Sequence, residues 1–157
     1  LRIASYEKNI KSRIVDGQIN IGLLYNESNA ASKKNMEDIK SELSKLAGKG
    51  MKIQGASINA VPIKITSLKS ALSEGKIKVI YINSSMGGSL NSIISLTQSK
   101  KILSIAGHDA EATAKKGITI GLGLAGSKPK VFLNQNSAGK EGCDFSAQLL
   151  KLAQIVN

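Results

Sequence analysis

The chain has 157 residues, 41% of them hydrophobic and 21% charged. This length allows one sizeable core and makes two independent cores unlikely, so we predict a single domain over residues 1–157. No apolar run approaches the roughly 20 residues that cross a bilayer, and the composition is not that of a disordered chain. The chain begins at Leu1 rather than Met, which favours a processed or trimmed N-terminus.

The formal net charge of +11 would suit a polyanionic partner, but the residue types argue against nucleic acid. Of the 22 basic residues, Arg2 and Arg13 are the arginines, and the lysines are scattered singly or in pairs. Aromatic residues make up 3% of the chain, too few for a base-stacking surface. We therefore expect a solvated, lysine-rich surface and no nucleic-acid partner.

The cysteine and histidine content argues against disulfide bonds and metal sites. Cys143 is the single cysteine, which excludes an intrachain disulfide and a thiolate zinc site, and a small buried hydrophobic role is expected for it. No cluster of His, Asp and Glu has metal-ligand spacing. We expect neither a metal nor a cofactor.

The first half of the chain alternates helical and strand patterns. Residues 1–14 predict a short helix, and the nearly unbroken apolar run Ile19–Tyr25 predicts a central strand buried on both faces. A helix follows, with Ser32 as the candidate N-cap and Gly48 as the stop. Its apolar face is formed by Met36, Ile39, Leu43, Leu46 and Ala47.

The same strand–helix pattern continues to residue 117. Strands are predicted over 52–61, 78–85 and 101–107. Helices are predicted over 67–75, after the diglycine at 87–88, and over 109–117.

The pattern changes in the last forty or so residues. Two strand-like runs, 118–124 and 129–134, are separated by the turn sequence AGSK and predict a β-hairpin. Residues 137–156 then predict a C-terminal helix that packs on the sheet. Its apolar stripe is formed by Phe145, Leu149, Leu152, Ala153 and Val156.

Strands that alternate with helices imply right-handed crossovers and a largely parallel sheet. We predict an α/β fold: a three-layer sandwich with a mostly parallel sheet flanked by helices, an antiparallel β-hairpin near one edge and a C-terminal packing helix.

Gly121, Gly123 and Gly126 have the G-x-G-x-x-G spacing of a dinucleotide-binding loop. That motif requires a helix after the glycines, whereas Pro129 and β-prone residues follow here. The spacing is therefore interpreted as part of a strand, with a bulge or a close backbone approach at Gly121 and Gly123.

Ligands of open α/β sheets collect at the carboxyl ends of the parallel strands, so three loops that follow strands are candidate binding sites. They have the sequences NESN (26–29), NSSMGG (83–88) and GHDAE (107–111), all rich in small hydrogen-bonding residues. The candidate ligand-binding residues are Asn26, Ser28, Asn29, Ser84, Ser85, Gly87, Gly88, His108 and Asp109.

An enzyme is a weaker hypothesis. Asp109 beside His108 would raise the basicity of the imidazole, as in a general base, but it serves equally well as a helix N-cap. No nucleophile accompanies the pair in the sequence, and no catalytic residue is assigned.

Segments at both ends of the chain match one known family. Near the N-terminus, YEKNIKSR is followed by INIGLLYNESNAAS, a tyrosine-acid segment, a strand and an Asn/Ser loop. Towards the C-terminus there are a glycine-led strand, a strand closing with Asn and a Leu-rich segment. The matching residues there are Gly117, Asn134, Gly142, Ser146, Leu149, Leu150, Leu152, Ala153, Ile155 and Val156. In both segments the chain resembles the YfiR-like periplasmic family.

The resemblance implies a secreted periplasmic protein, its signal peptide removed, that is not an enzyme. It implies restraint of a membrane-bound diguanylate cyclase through contact with its extracytoplasmic sensor region, which limits cyclic di-GMP and biofilm formation. The alternative is a small-molecule sensor or solute-binding domain whose pocket lies at the three loops. Another membrane receptor as the partner, a small ligand and a homodimer all remain open.

Overall fold

An eight-stranded sheet forms the centre of the computed structural model, which describes residues 3–157. The strands are β1 (Gln18–Tyr25), β2 (Lys52–Ile53), β3 (Ala56–Lys64), β4 (Val79–Ile82), β5 (Leu103–Ala106), β6 (Ile120–Ala125), β7 (Lys128–Asn134) and β8 (Ala153–Val156). The α-helices are α1 (Ala30–Gly48), α2 (Leu68–Ser73), α3 (Leu90–Ser99), α4 (Ala110–Lys116), α5 (Gln135–Lys140) and α6 (Ala147–Leu152).

The strands lie in the order β2-β3-β1-β4-β5-β6-β7-β8. From β3 to β6 every neighbouring pair is parallel, whereas β6 and β7 form an antiparallel hairpin and β8 lies parallel to β7. Ile19, Leu23 and Leu24 are fully buried, because β1 lies inside the sheet and both its faces are covered. The predicted α/β fold with a mostly parallel sheet and a hairpin near one edge is confirmed.

Helices cover both faces of the sheet. One face packs against α1 and α6 through a core that includes Met36 and Leu149. The other face packs against α2 and α3, with Leu72 and Ile93 in its core, and α4 packs on Phe132 of β7. This arrangement is the predicted three-layer sandwich.

The N-terminal segment differs from the single helix that the sequence predicts. Within the described residues it forms two short 3-10 helices, Ala4–Tyr6 and Ile10–Arg13, while Leu1 and Arg2 of that prediction lie outside them. Between the two helices, Glu7 pairs with Phe145 in an isolated antiparallel bridge. An α-helix cannot continue through a residue whose backbone pairs with another segment, so the helix is interrupted there.

The predicted strand over 52–61 is two strands. Gln54 and Gly55 have φ of 50° and 86°, and this left-handed turn reverses the chain so that β2 and β3 pair antiparallel. After the turn, β3 extends to Lys64 and pairs with the whole of β1.

The C-terminal helix is shorter than the sequence predicts. Residues 137–156 contain the end of α5, then α6, then the edge strand β8. Phe145, Leu149 and Val156 are buried as expected, but Leu152 is 63% exposed. Parallel pairing of β8 with β7 satisfies the backbone of the last residues at the sheet edge, and Val156 packs beside α4.

Candidate functional site

The loops that follow β1, β4 and β5 lie side by side, because these three strands are neighbours in the sheet and run parallel. Their carboxyl ends form one edge of the domain, which is where open α/β sheets bind ligands. All nine candidate residues belong to these loops.

In the first loop, the candidate residues are held by hydrogen bonds within the protein. Asn29 rather than Ser32 caps α1: its Oδ1 accepts from the Ser32 backbone N–H at 2.8 Å. Asn26 Oδ1 accepts from the Ser28 N–H at 3.0 Å, and Asn26 Nδ2 donates to the Ser85 carbonyl at 2.9 Å. These contacts define the loop and attach it to its neighbour.

The second loop leads into α3 through a 3-10 turn at Gly87–Ser89. Ser85 and Gly87 have φ of 65° and 52°, left-handed values that are unusual for a serine. The Ser32 hydroxyl donates to the Ser84 carbonyl at 3.1 Å, so this loop is held from the α1 side. Its geometry is therefore set by the first loop and by α3 together.

The third loop places His108 against Asp109. His108 Nε2 lies 3.0 Å from Asp109 Oδ2, and both side chains are more than half exposed. Asp109 occupies the N-cap position of α4 with φ of 44°, but its side chain makes no capping hydrogen bond. It is thus oriented towards the imidazole rather than towards the helix.

A cavity of about 190 Å³ lies between the second and third loops. Four of the nine candidates line it, namely Ser85, Gly87, His108 and Asp109. The other five, Asn26, Ser28, Asn29, Ser84 and Gly88, are not among its lining residues. Eight further residues line the cavity although the sequence does not predict them as ligand-binding: Ile82, Asn83, Met86, Leu90, Ala106, Ala112, Thr113 and Lys116.

Asn83 is the most informative of the unassigned residues. It is 3% exposed, and neither Oδ1 nor Nδ2 has a hydrogen-bond partner among the described residues. Its backbone N–H donates to the Leu24 carbonyl at 3.2 Å, which fixes the residue at the end of β4. The signal in the sequence was its position as the first polar residue after a strongly apolar strand.

A second polar cluster, also missed at the sequence level, lies at the opposite end of the sheet around Arg13. Arg13 Nε donates to Glu7 Oε2 at 3.3 Å, with side-chain exposures of 3% and 0%. The guanidinium also donates to the carbonyl oxygens of Lys78, Lys101 and Glu141 and to Cys143 Sγ. Arg13 therefore joins the N-terminal segment to the amino ends of β4 and β5 and to the segment after α5.

Glu141 is fully buried beside this cluster. Its carboxylate accepts from the Ser104 N–H and hydroxyl and from the Thr119 hydroxyl, at 2.6 to 2.8 Å. Burial raises the pKa of Glu141, and the hydrogen bonds from Thr119, Thr97 and Ser104 oppose that shift. The residue joins α5 to β5 and β6, which is a structural role.

The Cys143 thiol lies against the same arginine. Burial raises the pKa of Cys143 to about 12, although the Arg13 charge acts in the opposite direction. A thiol with so high a pKa is a poor nucleophile at neutral pH. Cys143 is half-buried rather than buried as the sequence predicts, and it packs against the core while it accepts the Arg13 hydrogen bond.

Residues 3–157 contain neither a metal-binding cluster of side chains nor a membrane-spanning helix. No group of three or more His, Cys, Asp or Glu side chains there is arranged to hold a metal ion. In the same range, no helix has the length and apolar character needed to span a membrane.

Solved structures share this fold. The ABC domain in complex with L-Trp from Streptococcus pneumoniae has a TM-score of 0.64 at 16% identity, and the match covers 99% of this chain and 62% of that protein. A conserved domain protein from Vibrio cholerae O1 biovar El Tor has a TM-score of 0.68 at 16% identity, covering 88% and 54%. The ligand-free, open structure of CD0873, a substrate binding protein with adhesive properties from Clostridium difficile, has a TM-score of 0.64 at 19% identity, covering 88% and 54%.

These similarities define the fold class of the protein, which is α/β. The chain spans less than two thirds of each of the three structures, and at these identities it shares with them an α/β fold. No curated protein matches the chain.

The family is narrower than the fold. The model of the YfiR/HmsC-like family matches residues 18–154, nearly the whole chain. The protein therefore belongs to the YfiR/HmsC-like family, which confirms the resemblance found in the sequence. Membership supports a periplasmic regulator in general.

Proposed function

We propose that the protein restrains a membrane-bound diguanylate cyclase by binding its extracytoplasmic sensor region, and so limits cyclic di-GMP and biofilm formation. Membership of the YfiR/HmsC-like family supports this role in general terms. An action through contact needs a surface on the domain that can lose water against a partner.

The observation that carries the proposal is an apolar surface at the hairpin end of the sheet. The register pairs Leu122 with Val131 and Val131 with Ala153, so these three side chains share one face of β6, β7 and β8. Leu124 lies two residues beyond Leu122, beside Pro129, and Ile155 lies two residues beyond Ala153, beside Leu133. These two side chains therefore stand at opposite ends of that same face. We call Leu122, Leu124, Val131, Ala153 and Ile155 the hairpin face.

The two ends of the hairpin face are open to solvent. Leu124 is 72% exposed and Ile155 is 40% exposed, while the other three residues are half-buried and pack against the core. Grouped apolar side chains at a surface are typical of contact sites for other proteins. β8 is also an edge strand, so its outer backbone groups are free to meet a partner.

The experiment measures binding of the purified protein to the extracytoplasmic region of the cyclase encoded nearest to its gene. We expect saturable binding that Leu124→Ser together with Ile155→Ser weakens by about tenfold or more, because two apolar anchors are lost. Met51→Ser is the matched control, since Met51 is 41% exposed at the opposite edge of the sheet. The control should bind like the wild type.

A cellular measurement completes the test. Deleting the gene should raise cyclic di-GMP and surface attachment. Reintroducing the wild-type gene should lower both to their original levels, and reintroducing the double variant should not. Unchanged cyclic di-GMP after deletion, or equal binding by the double variant and the control, would refute the proposal.

A further inference from the structure

One buried polar side chain in the wall of the cavity between the second and third loops, Asn83, makes no hydrogen bond among the described residues. Asn83 is buried, yet its side-chain amide neither donates nor accepts a hydrogen bond among the described residues. Buried amides are nearly always paired, because burial removes the hydrogen bonds that water supplied. An amide of this kind beside a cavity is complementary to a ligand that has both a donor and an acceptor.

A larger depression elsewhere on the domain lacks an unpaired amide of this kind. It measures about 500 Å³ and lies along β3 and α2, with Asn20 and Asn59 in its wall. There the Asn59 amide donates to Asn20 Oδ1 at 2.8 Å, and Asn20 Nδ2 donates to the Lys76 carbonyl at 3.2 Å. The side chains of Asn20 and Asn59 thus have hydrogen-bond partners within the protein, whereas the Asn83 amide has none among the described residues.

The cavity beside Asn83 is small and carries both signs of charge. Its volume equals that of about six molecules of liquid water, well below the size of a site for drug-sized ligands. Lys116 and Asp109 lie in its wall, and Gly87 and Leu90 place the start of α3 there as well. The amino end of a helix and a lysine both favour a bound carboxylate.

We propose that this cavity binds a small carboxylate with a hydroxyl or amino group on the adjacent carbon, and that Asn83 recognises both groups. Asn83 Nδ2 donates to the carboxylate, and Oδ1 accepts from the neighbouring hydroxyl or ammonium group. Lys116 and the start of α3 balance the carboxylate charge, and Asp109, which already lies 3.0 Å from His108 Nε2, adds a negative charge to the wall for an ammonium group. Met86 and Leu90 provide apolar contact for a short side chain.

The first experiment titrates the protein with L-lactate, L-alanine and acetate and follows the side-chain amide resonances by NMR. Lactate or alanine should shift the Asn83 amide saturably, and acetate, which lacks the neighbouring donor, should bind about tenfold more weakly or worse. The comparison of lactate with alanine distinguishes the hydroxyl from the amino ligand. If the Asn83 amide shifts no more than that of Asn59 with any probe, the proposal is overturned.

Substitutions separate recognition from structure. Asn83→Leu should abolish probe binding while leaving the melting temperature unchanged or higher, because the unpaired amide is replaced by an apolar group of similar size. Asn59→Leu is the control and should bind normally. Retained binding by Asn83→Leu overturns the proposal.

Two adjacent lysines give a readout that does not depend on Asn83. Lys116→Met should weaken probe binding severalfold, whereas Lys115→Met should not, since Lys115 is paired with Glu111 at 2.7 Å. Equal affinities for the two lysine variants would count against the carboxylate. All of these measurements are made without a partner protein, so they succeed or fail independently of the cyclase proposal.

Discussion

Gly121 is predicted to be the least replaceable glycine of the sheet. A Cβ placed on it would lie 2.0 Å from the carbonyl oxygen of Ala110 and 2.6 Å from the carbonyl carbon. Ordinary contacts at such a position are 3.4–4 Å, so Gly121→Ala would require β6 and α4 to separate by more than an ångström. The obstacle is backbone at the start of a helix, which cannot rotate away as a side chain does.

The expected cost is about 3 kcal/mol of unfolding free energy or more, at or above the upper end of the usual range for overpacking. For a domain of this size that corresponds to a fall in melting temperature of roughly 6–12 °C, measured by calorimetry or by denaturant unfolding. Gly139→Ala is the control, since Gly139 is inside α5. Apart from its chain neighbours and the backbone of its own helix, no atom of the described residues lies within 4 Å of its added Cβ. The control should gain about 0.5–1 kcal/mol from helix propensity.

A loss below about 1 kcal/mol for Gly121→Ala would refute this reasoning, since it would mean that the contact relaxes easily. A second readout is local. Ala110 follows Asp109 directly, so displacement of α4 should shift the amide resonances of the third loop, and Gly139→Ala should leave them in place.

Three further predictions concern the cluster around Arg13. Arg13→Met leaves the Glu7 carboxylate buried without its ion-pair partner and should cost about 3–5 kcal/mol, whereas Lys8→Gln removes an exposed ion pair and should cost at most about 1 kcal/mol. Burial raises the pKa of Glu141 above its ordinary 4.5, so the folded state holds that proton more tightly than the unfolded chain does. The contribution of Glu141 to stability is therefore fully present below pH 4.5 and is lost as the pH rises through the folded-state pKa. The unfolding free energy of Glu141→Gln, measured with denaturant, should therefore increase relative to that of the wild type as the pH rises above 4.5. Finally, with a pKa of about 12, the Cys143 thiol should react with a disulfide reagent at pH 8 about a hundredfold or more slowly than the thiol of the unfolded chain.

Each of these predictions has an outcome that contradicts it. Equal unfolding free energies for Arg13→Met and Lys8→Gln would show that the buried ion pair is dispensable. A constant difference between Glu141→Gln and wild type across the pH range would mean that Glu141 titrates normally in the folded state. Rapid labelling of Cys143 under native conditions would show that burial does not suppress its thiolate.

The order of strands and helices could be predicted from the sequence because burial on both faces leaves an unbroken apolar run, as in β1. The turn at Gln54 and Gly55 was missed, since no periodicity marks a left-handed glutamine. The sequence predicts a helix for residues 153–156, which form β8, because Val156 fits a helical stripe and a short strand equally well. Only the free edge of β7 decides between them, and that edge exists only in the folded sheet.

The sequence predicts which loops form the candidate site, but not which residues of those loops line the cavity. Asn26, Asn29 and Asn83 are the same residue type at the ends of two parallel strands, so composition treats them alike. The structure distinguishes them by their hydrogen bonds. The side chains of Asn26 and Asn29 are hydrogen-bonded within the loops, whereas the side-chain amide of Asn83 has no partner among the described residues. Arg13 and Glu7 were missed for a related reason, because charged residues six positions apart give no sign that both are buried.

The glycines of the G-x-G-x-x-G spacing show how the two proposed surfaces are related. Gly121 faces Ala110 at the start of α4, the helix that supplies Lys116 to the cavity, while Leu122 and Leu124 point to the opposite face of the same strand. The cavity and the hairpin face are thus separated by the thickness of β6 and α4. A substitution at Gly121 would disturb both surfaces, so it cannot assign a function to either. Asn83→Leu and Leu124→Ser each change one surface alone, and they are the variants that distinguish ligand binding from partner binding.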